Sequence, residues 1–397
     1  MLPEYQHLGE MPGYRGRPGG TTLCPGDRGS IRLMEELYDE FMPLFEPEDF
    51  NVCCDETWEL GRGRSKRRAD SVGVGKVYLD FLVKLHRLCR KHGKRMNAWA
   101  DIVLQHPELL GELPKDVVML NWDYGADGGR IPRTKEIAAA ELPLVVCPGT
   151  SGWNTHGTRL DNAIVNVRRF AAQGRKHGAE GLLNTDWGDG GHRNFLGVSL
   201  HGFAHGGAHS WHGRGVDDET FTDRFAMHVF GEKTGKLAGA IRTLGRTYLT
   251  CGGTYWNWCN LNYTIFAPLA GKEGANDRVD ETDRDGLKTV VKQLSAPKLW
   301  PPASTGLDRF ERIALQEYDV AAQMDLLGAR RALVAKDVRA GRRVGKDRLR
   351  KLIDETRRVA GRFEKLWTTR NKPSRLKDNL WKFGQAERDA RKHMKKA

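Results

Sequence analysis

Asp55 and Glu56 stand side by side directly after the apolar stretch FNVCC, and Thr57, Trp58 and a glycine-containing basic loop, ELGRGRSK, follow them. Strand interiors exclude charge, so carboxylates at a strand's carboxyl end sit in a polar mouth. Two adjacent acids repel one another, which can hold one protonated near neutral pH while its neighbour stays ionised. That division of roles is what acid-catalysed cleavage of a glycosidic bond requires. A solvated strand-to-loop turn, where Asp and Glu are common, is the plainer account of the dipeptide alone.

Four tryptophans, Trp99, Trp122, Trp153 and Trp187, fall at or just after the ends of later apolar stretches. A single one reads as packing, whereas four at corresponding places suggest aromatic faces for sugar rings. Asp123, Tyr124, Asn154, Asp186, Asp189 and His192 add polar groups in the same segments. In LHGFAHGGAHSWHGR, His201, His205 and His209 are spaced four apart and would share one helical face. No carboxylate or cysteine ligand stands out beside them and three glycines interrupt the run, so neither metal nor cofactor is expected. Seven cysteines show no zinc spacing and no regular framework. Cys53, Cys54 and Cys147 lie in apolar strand contexts, which predicts buried, reduced thiols.

Such residues need a scaffold that gathers strand ends. Leu33, Leu37, Phe41 and Leu44 are at helical spacing and predict a helix over residues 31–44, with Ser30 as N-cap. A second helix is expected over residues 72–92, ended by Gly93. Strands are expected at FNVCC, Arg95–Ala100, Val117–Asn121, Leu144–Cys147 and Gly181–Asn184, with helical segments between them. Alternating helices and continuous apolar strands argue for a parallel sheet covered by helices. Asp55 and Glu56 should then lie side by side at the carboxyl end of a central strand, in a cleft also lined by Trp187. The Gly/Pro-rich stretch at residues 12–29 reads as a loop, and its glycines match no phosphate-binding pattern. From about Gly215 the pattern turns helical with an acidic start, and residues 306–368 predict two or three more helices.

The segment DETWELGRGRSK, with the apolar pair and small residues before it, resembles the strand-4 signature of glycoside hydrolase family 20, the β-N-acetylhexosaminidases, and most closely its hexosaminidase D-like branch. TTLCPGDRGSIRLMEELYDEFMPLFEPEDFNV upstream resembles that family's helix 3 to strand 4 unit. RMNAWADI, VVMLNWDYG, LVVCPGTSGWNT and GLLNTDWGDGGH resemble strands 5 to 8, in order. The resemblance implies an α/β fold, a (β/α)8 TIM-type barrel that is N-terminally incomplete, with about five strands present and a C-terminal α-helical region. It divides the chain into a partial barrel over residues 1–215 and a helical region with a basic tail over 216–397. It implies substrate-assisted, retaining hydrolysis of terminal β-linked N-acetylhexosamine, the exception to the two-carboxylate scheme. Glu56 matches the general acid and Asp55 the carboxylate that holds the acetamido N–H. Trp99, Trp122, Trp153 and Trp187 match aromatic walls, Tyr124 a hydroxyl on the acetamido oxygen, and Asp189 a ligand of the distal hydroxyls. Family members commonly carry glycine at one or both of the positions of Cys53 and Cys54. Strands 1 to 3 would precede Met1, and with them an arginine that binds sugar, so the chain as given is expected to be a poor enzyme. A remnant that keeps part of a carbohydrate site without turnover is the alternative.

The remaining bounds come from composition. At 397 residues with 39% hydrophobic content, the chain can bury a substantial core. It has no run of eighteen apolar residues, and its first residues carry no secretory pattern, so a cytoplasmic location is expected, with no membrane partner. Residues 301–397 hold 26 Lys and Arg against 13 Asp and Glu, an excess that equals the whole net charge of +13. The tail alternates charge with apolar residues at helical spacing, which reads as a solvated helical surface rather than a nucleic-acid site. The expected partner is an N-acetylhexosamine-containing glycan or glycoconjugate, and no residue argues for a particular oligomeric state.

Overall fold

The computed structural model describes residues 3–396 apart from positions 12, 15, 16, 19, 214, 254–256, 272–276, 297–298 and 302–305. Within them the short apolar runs form one five-stranded parallel sheet: β1 (Asp49–Asn51), β2 (Arg95–Trp99), β3 (Val118–Trp122), β4 (Leu144–Cys147) and β5 (Gly181–Leu182). The strands pair in chain order, with Asn51 opposite Asn97, Trp99 opposite Leu120 and Val146 opposite Leu182. All five residues of β3 are buried, as befits a parallel strand covered on both faces. Parallel neighbours cannot be joined by tight turns. Accordingly α2 (Lys66–Val72) and α3 (Val74–Lys91) separate β1 from β2, α4 (Thr134–Ala139) separates β3 from β4, and α5 (Leu160–Lys176) separates β4 from β5. Five parallel strands with interleaved helices, then a long helical region, fit part of an α/β barrel. Asp55 and Glu56 follow an edge strand rather than the central one expected, because pairing runs in chain order and β1 comes first.

Several local expectations shift. The first helix, α1, spans Arg28–Phe41 and is capped by Asp27, whose carboxylate accepts the Gly29 N–H at 2.7 Å. Leu37, Phe41 and Leu44 are exposed, whereas Tyr38 and Met42 are buried and Ile31 and Met34 pack against the same core. The expected helix over 72–92 is interrupted at Gly73, where φ is +86°, a backbone that favours glycine. The strand expected through FNVCC ends at Asn51, since Cys53 and Cys54 both adopt left-handed backbone. Cys53 is therefore exposed and Cys54 half-buried, whereas Cys147 is buried as expected.

The chain forms two compact units. The first comprises Met1–Asp123, Asp127–Cys147 and Arg169–Leu183, and holds the whole sheet; the second comprises Tyr124–Ala126, Pro148–Arg168 and Asn184–Ala397. The first unit's core joins Leu79, Leu82 and Leu85 of α3 to Met96, Met119 and Val146 of the strands. Each fully buried leucine there contributes on the order of 1.5–3 kcal/mol.

The second unit is built on α6 (Leu196–Trp211), α7 (Asp218–Phe230), α8 (Lys236–Gly245), α9 (Arg284–Leu294), α10 (Arg309–Arg339), α11 (Lys346–Trp367) and α12 (Leu376–Lys396). One core centres on Phe225, Phe230, Leu244 and Tyr318, another on Leu327, Leu352, Phe363 and Phe383. α10 starts with a capping box in which Asp308 and Glu311 each accept the other's backbone N–H. The basic tail is not solvated throughout. Arg331 is buried and donates to the carbonyls of Ala267 and Ala386 and to Asp389. Asp337 accepts from Arg284, Arg342 and Arg348 at 2.7, 2.9 and 2.5 Å. Among the described residues no helix is long and apolar enough to cross a membrane.

Candidate functional site

The turn after β1 is bound to the sheet before it is free of it. Val52 N–H reaches the Asn97 carbonyl at 2.9 Å and Trp99 N–H reaches the Cys53 carbonyl at 3.1 Å, so pairing with β2 continues past the strand's last regular residue. Asn51 Oδ1 accepts the Cys53 N–H and the Tyr78 hydroxyl donates to the Cys54 carbonyl, both at 2.8 Å. These bonds hold Cys53, Cys54 and Glu56 at φ values of +62°, +67° and +50°. Left-handed backbone costs a non-glycine residue about 1–2 kcal/mol, and such strain persists where surrounding contacts over-determine it.

Three acidic residues follow the ends of β1 and β2, and Glu56 is the exposed one. Asp55 is half-buried, and burial pushes its carboxyl above the usual range. Asp101, two residues past the end of β2, is 4% exposed. Its Oδ2 accepts the Glu56 backbone N–H at 3.0 Å and its Oδ1 accepts the Trp122 indole N–H at 3.3 Å. Burial raises the Asp101 carboxyl most, and the charge of Asp55 raises it further. Asp101 is absent from the residues expected to do chemistry, although RMNAWAD carries the same signal as FNVCCDE: an acid placed directly after an apolar strand. Trp99 and Trp122 are nearly buried, at 6 and 7% exposure, and the Arg130 guanidinium lies 3.8 Å over the Trp122 ring, covering one face. Asp123 accepts the Arg130 N–H and so anchors the loop after β3.

The loop that follows the acid pair is fastened from the chain's first residues. Buried Glu10 accepts from Gly63 N–H, Ser65 N–H and Ser65 Oγ at 3.1, 2.8 and 2.6 Å through one carboxylate oxygen. Glu59, also buried, accepts the Thr22 N–H. Arg64 bridges to Asp27 at 2.6 Å and donates to the His7 carbonyl. A Cβ at position 63 would lie 2.1 Å from the Glu10 carbonyl oxygen, so that glycine is dictated by close approach. The basic GRGR motif thus contributes structure. Beside it a cavity of about 500 Å³ is lined by Thr57, Trp58, Gly61, Arg62, Gln105 and His106 among others, with Trp58 44% exposed.

The second unit holds the rest of the expected residues. Thr185 N–H donates to the Pro148 carbonyl and Thr150 N–H to the Thr185 carbonyl, which aligns the segments after β4 and β5. Asn162 fixes Tyr124 by donating to its backbone carbonyl at 2.7 Å. The Trp187 indole N–H donates to the Tyr124 hydroxyl at 2.8 Å, and Trp153, fully buried, meets the Tyr124 ring edge-on at 4.9 Å. Trp187 keeps 37% of its surface exposed. Asp186 accepts from the hydroxyls of Thr150 and Ser199, yet burial holds its carboxyl above the ordinary range. Burial raises Asp189 as well, against a long 3.5 Å contact from Asn154 Nδ2. Ser151, Asn154 and His192 are left-handed at +59°, +52° and +50°. Six of the eight left-handed non-glycine residues among those described therefore lie in the loops after β1, β4 and β5. Asp55, Glu56, Trp99 and Trp122 belong to the first unit, and Tyr124, Trp153, Trp187 and Asp189 to the second.

No family model and no curated protein matches the chain. Among solved structures it is similar to the chitobiase FjGH20 of Flavobacterium johnsoniae, at 13% identity over 97% of this chain and 63% of that one, with a TM-score of 0.43. It is similar to a GH20 exo-β-N-acetylglucosaminidase from Vibrio harveyi, solved in complex with N-acetylglucosamine, at 15% identity over 58% and 38% of the two chains, with a TM-score of 0.38. A third is a GH138 enzyme targeting pectin rhamnogalacturonan II, at 10% identity over 94% and 65%, with a TM-score of 0.49. The chain matches less than two thirds of the length of each.

Proposed function

We propose that the chain acts as a glycoside hydrolase on terminal β-linked N-acetylhexosamine, with retention and with the sugar's own acetamido group as nucleophile. The observation that carries this reading is the gathering of Asp55, Glu56 and Asp101 at the carboxyl ends of two paired strands, on backbone strained at Cys53, Cys54 and Glu56. Strain of that kind is kept where geometry matters for chemistry. The resemblance of DETWELGRGRSK and the four later segments to family 20 is what suggests the reaction class.

In this reading Glu56 protonates the departing glycosidic oxygen as the acetamido carbonyl oxygen attacks the anomeric carbon. That carbon–oxygen bond forms as the glycosidic bond breaks, giving an oxazolinium ion and the freed alcohol. Glu56, now a carboxylate, takes a proton from the water that opens the ring. Asp55 accepts the acetamido N–H and faces the positive charge that develops. Burial makes an isolated Asp55 carboxylate costly, so a cation beside it is favoured in turn. Asp101 is a positioning residue, holding the Glu56 backbone. In the second unit, the exposed Trp187 face and Asp189 are proposed to bind carbohydrate, with Tyr124 held by Trp187 and backed by Trp153.

The test compares an aryl 2-acetamido-2-deoxy-β-glucoside with the matching aryl β-glucoside. Hydrolysis of the first alone, with the β-anomer formed initially by NMR, is the expected outcome. Equal hydrolysis of both would remove the acetamido group from the mechanism, and release from neither would remove the activity.

A further inference from the structure

His205 and His209 lie one turn apart on α6, and Asp218, the first residue of α7, meets both. The two Nε2 atoms stand 2.8 and 3.3 Å from the same atom, Asp218 Oδ1. The three ligand atoms all fall within 4.8 Å of one another. Both imidazoles are buried, at 1 and 2% side-chain exposure, while Asp218 keeps 15%. The carboxylate that the sequence failed to offer is thus supplied from the next helix, across a turn.

We propose that His205 Nε2, His209 Nε2 and Asp218 Oδ1 bind a divalent transition-metal ion, zinc by the chemistry of the donors. Histidines at i and i+4 on one helix face, completed by a carboxylate from another element, form a recurrent zinc arrangement. Around a tetrahedral ion with bonds near 2.0 Å, neighbouring donor atoms lie about 3.3 Å apart, and the two His–Asp separations are of that size. Two imidazoles with one carboxylate favour zinc over magnesium or calcium, which take oxygen ligands. Arg168 Nη1 lies 2.9 Å from Asp218 Oδ2, on the other oxygen. An outer partner of this kind fixes a ligating carboxylate and leaves Oδ1 to the ion. His201 stands outside the set, engaged with the Thr222 hydroxyl at 3.1 Å. The fourth position belongs to water, reached from the exposed side of Asp218. The bound ion joins α6 to α7. The competing account is a purely hydrogen-bonded cluster, in which Asp218 Oδ1 accepts from both imidazoles.

The test uses the tag-free full chain, stripped with chelator and titrated with Co(II), whose visible ligand-field band reports a nitrogen and oxygen environment. One cobalt per chain, displaced by zinc, is expected. His209→Gln and Asp218→Asn, each checked for fold by circular dichroism, should weaken uptake by more than the roughly 100-fold that outer-shell changes cost. X-ray absorption of the zinc-loaded wild-type chain is independent of whether the variants fold. It should show a nitrogen and oxygen shell at about 2.0 Å with scattering from two imidazoles. No stoichiometric uptake, a band undiminished in the folded variants, or a spectrum without imidazole scattering would each overturn the site. None of these readouts involves glycoside hydrolysis.

Discussion

Cys53 and Glu56 carry the cost of the turn that presents the acids. Cys53 is left-handed, so its Cβ bears the penalty. Cys53→Gly should therefore be more stable than Cys53→Ala by about 1 kcal/mol in urea unfolding, since both lose the thiol and only alanine keeps the Cβ. Equal stability would remove the strain argument. The acid role of Glu56 has its own signature: Glu56→Gln should abolish turnover of substrates with poor leaving groups and affect activated aryl glycosides much less. Uniform loss would point to a different acid. The electrostatics of this turn extend to Asp101. The charge of Asp55 raises the buried Asp101 carboxyl beyond what burial does, so Asp55→Asn should lower it. The Asp101 carboxyl, followed by NMR titration, should then titrate at lower pH, and an unmoved titration would show that burial alone sets it.

At the scale of elements, the helical region is joined by charge where the sheet is joined by backbone. Asp337, at the end of α10, takes hydrogen bonds from Arg284 at the start of α9, from Arg342 and from Arg348 of α11. Burial works against its ionisation, but hydrogen bonds from Arg348, Arg284 and Arg342 outweigh it and bring the carboxyl down to about 2. A depressed carboxyl contributes stability in full above its unfolded value of about 3.9 and loses it as pH falls through the folded value. Asp337→Asn should cost roughly 2 kcal/mol at neutral pH, with the gap to wild type closing between about pH 4 and pH 2. A gap that persists unchanged at low pH would mean that packing, not charge, holds these helices. The sheet shows the complementary case: its edge strand β1 has three regular residues, and the turn beyond it is held by Glu10 and Asp101.

For the whole molecule the question is what its +13 charge does. The excess lies in the last 97 residues, yet many of those cations are engaged with carboxylates, including Arg330 with Glu355, Arg362 with Asp319 and Arg370 with Glu317. Charges neutralised within the fold release few counterions from a polyanion. Binding to duplex DNA, followed by fluorescence anisotropy, should accordingly be weak, with only a shallow dependence on salt between about 50 and 200 mM. Tight binding at the lower salt level that falls steeply toward the upper one would reinstate the basic tail as a functional surface.

The elements were legible in the residues themselves. Apolar runs located all five strands to within a few residues, because a buried parallel strand must be continuously apolar, and the adjacent acids after FNVCC marked the turn where carboxylates gather. Periodicity reports only on neighbours, however. It placed Leu37, Phe41 and Leu44 inward over residues 31–44 where Tyr38 and Met42 are buried, and it carried a strand through Cys53 and Cys54 where the backbone turns left-handed. Contacts between residues far apart in the chain were decided by the tertiary structure alone. Asp101 reaches Glu56 across 45 positions and Glu10 reaches Ser65 across 55. Asp218 reaches His205 across only 13, but through a turn between two helices. A carboxylate's partner depends on where the backbone brings it and on how much water is excluded there, and neither quantity is written in the spacing of the residues beside it.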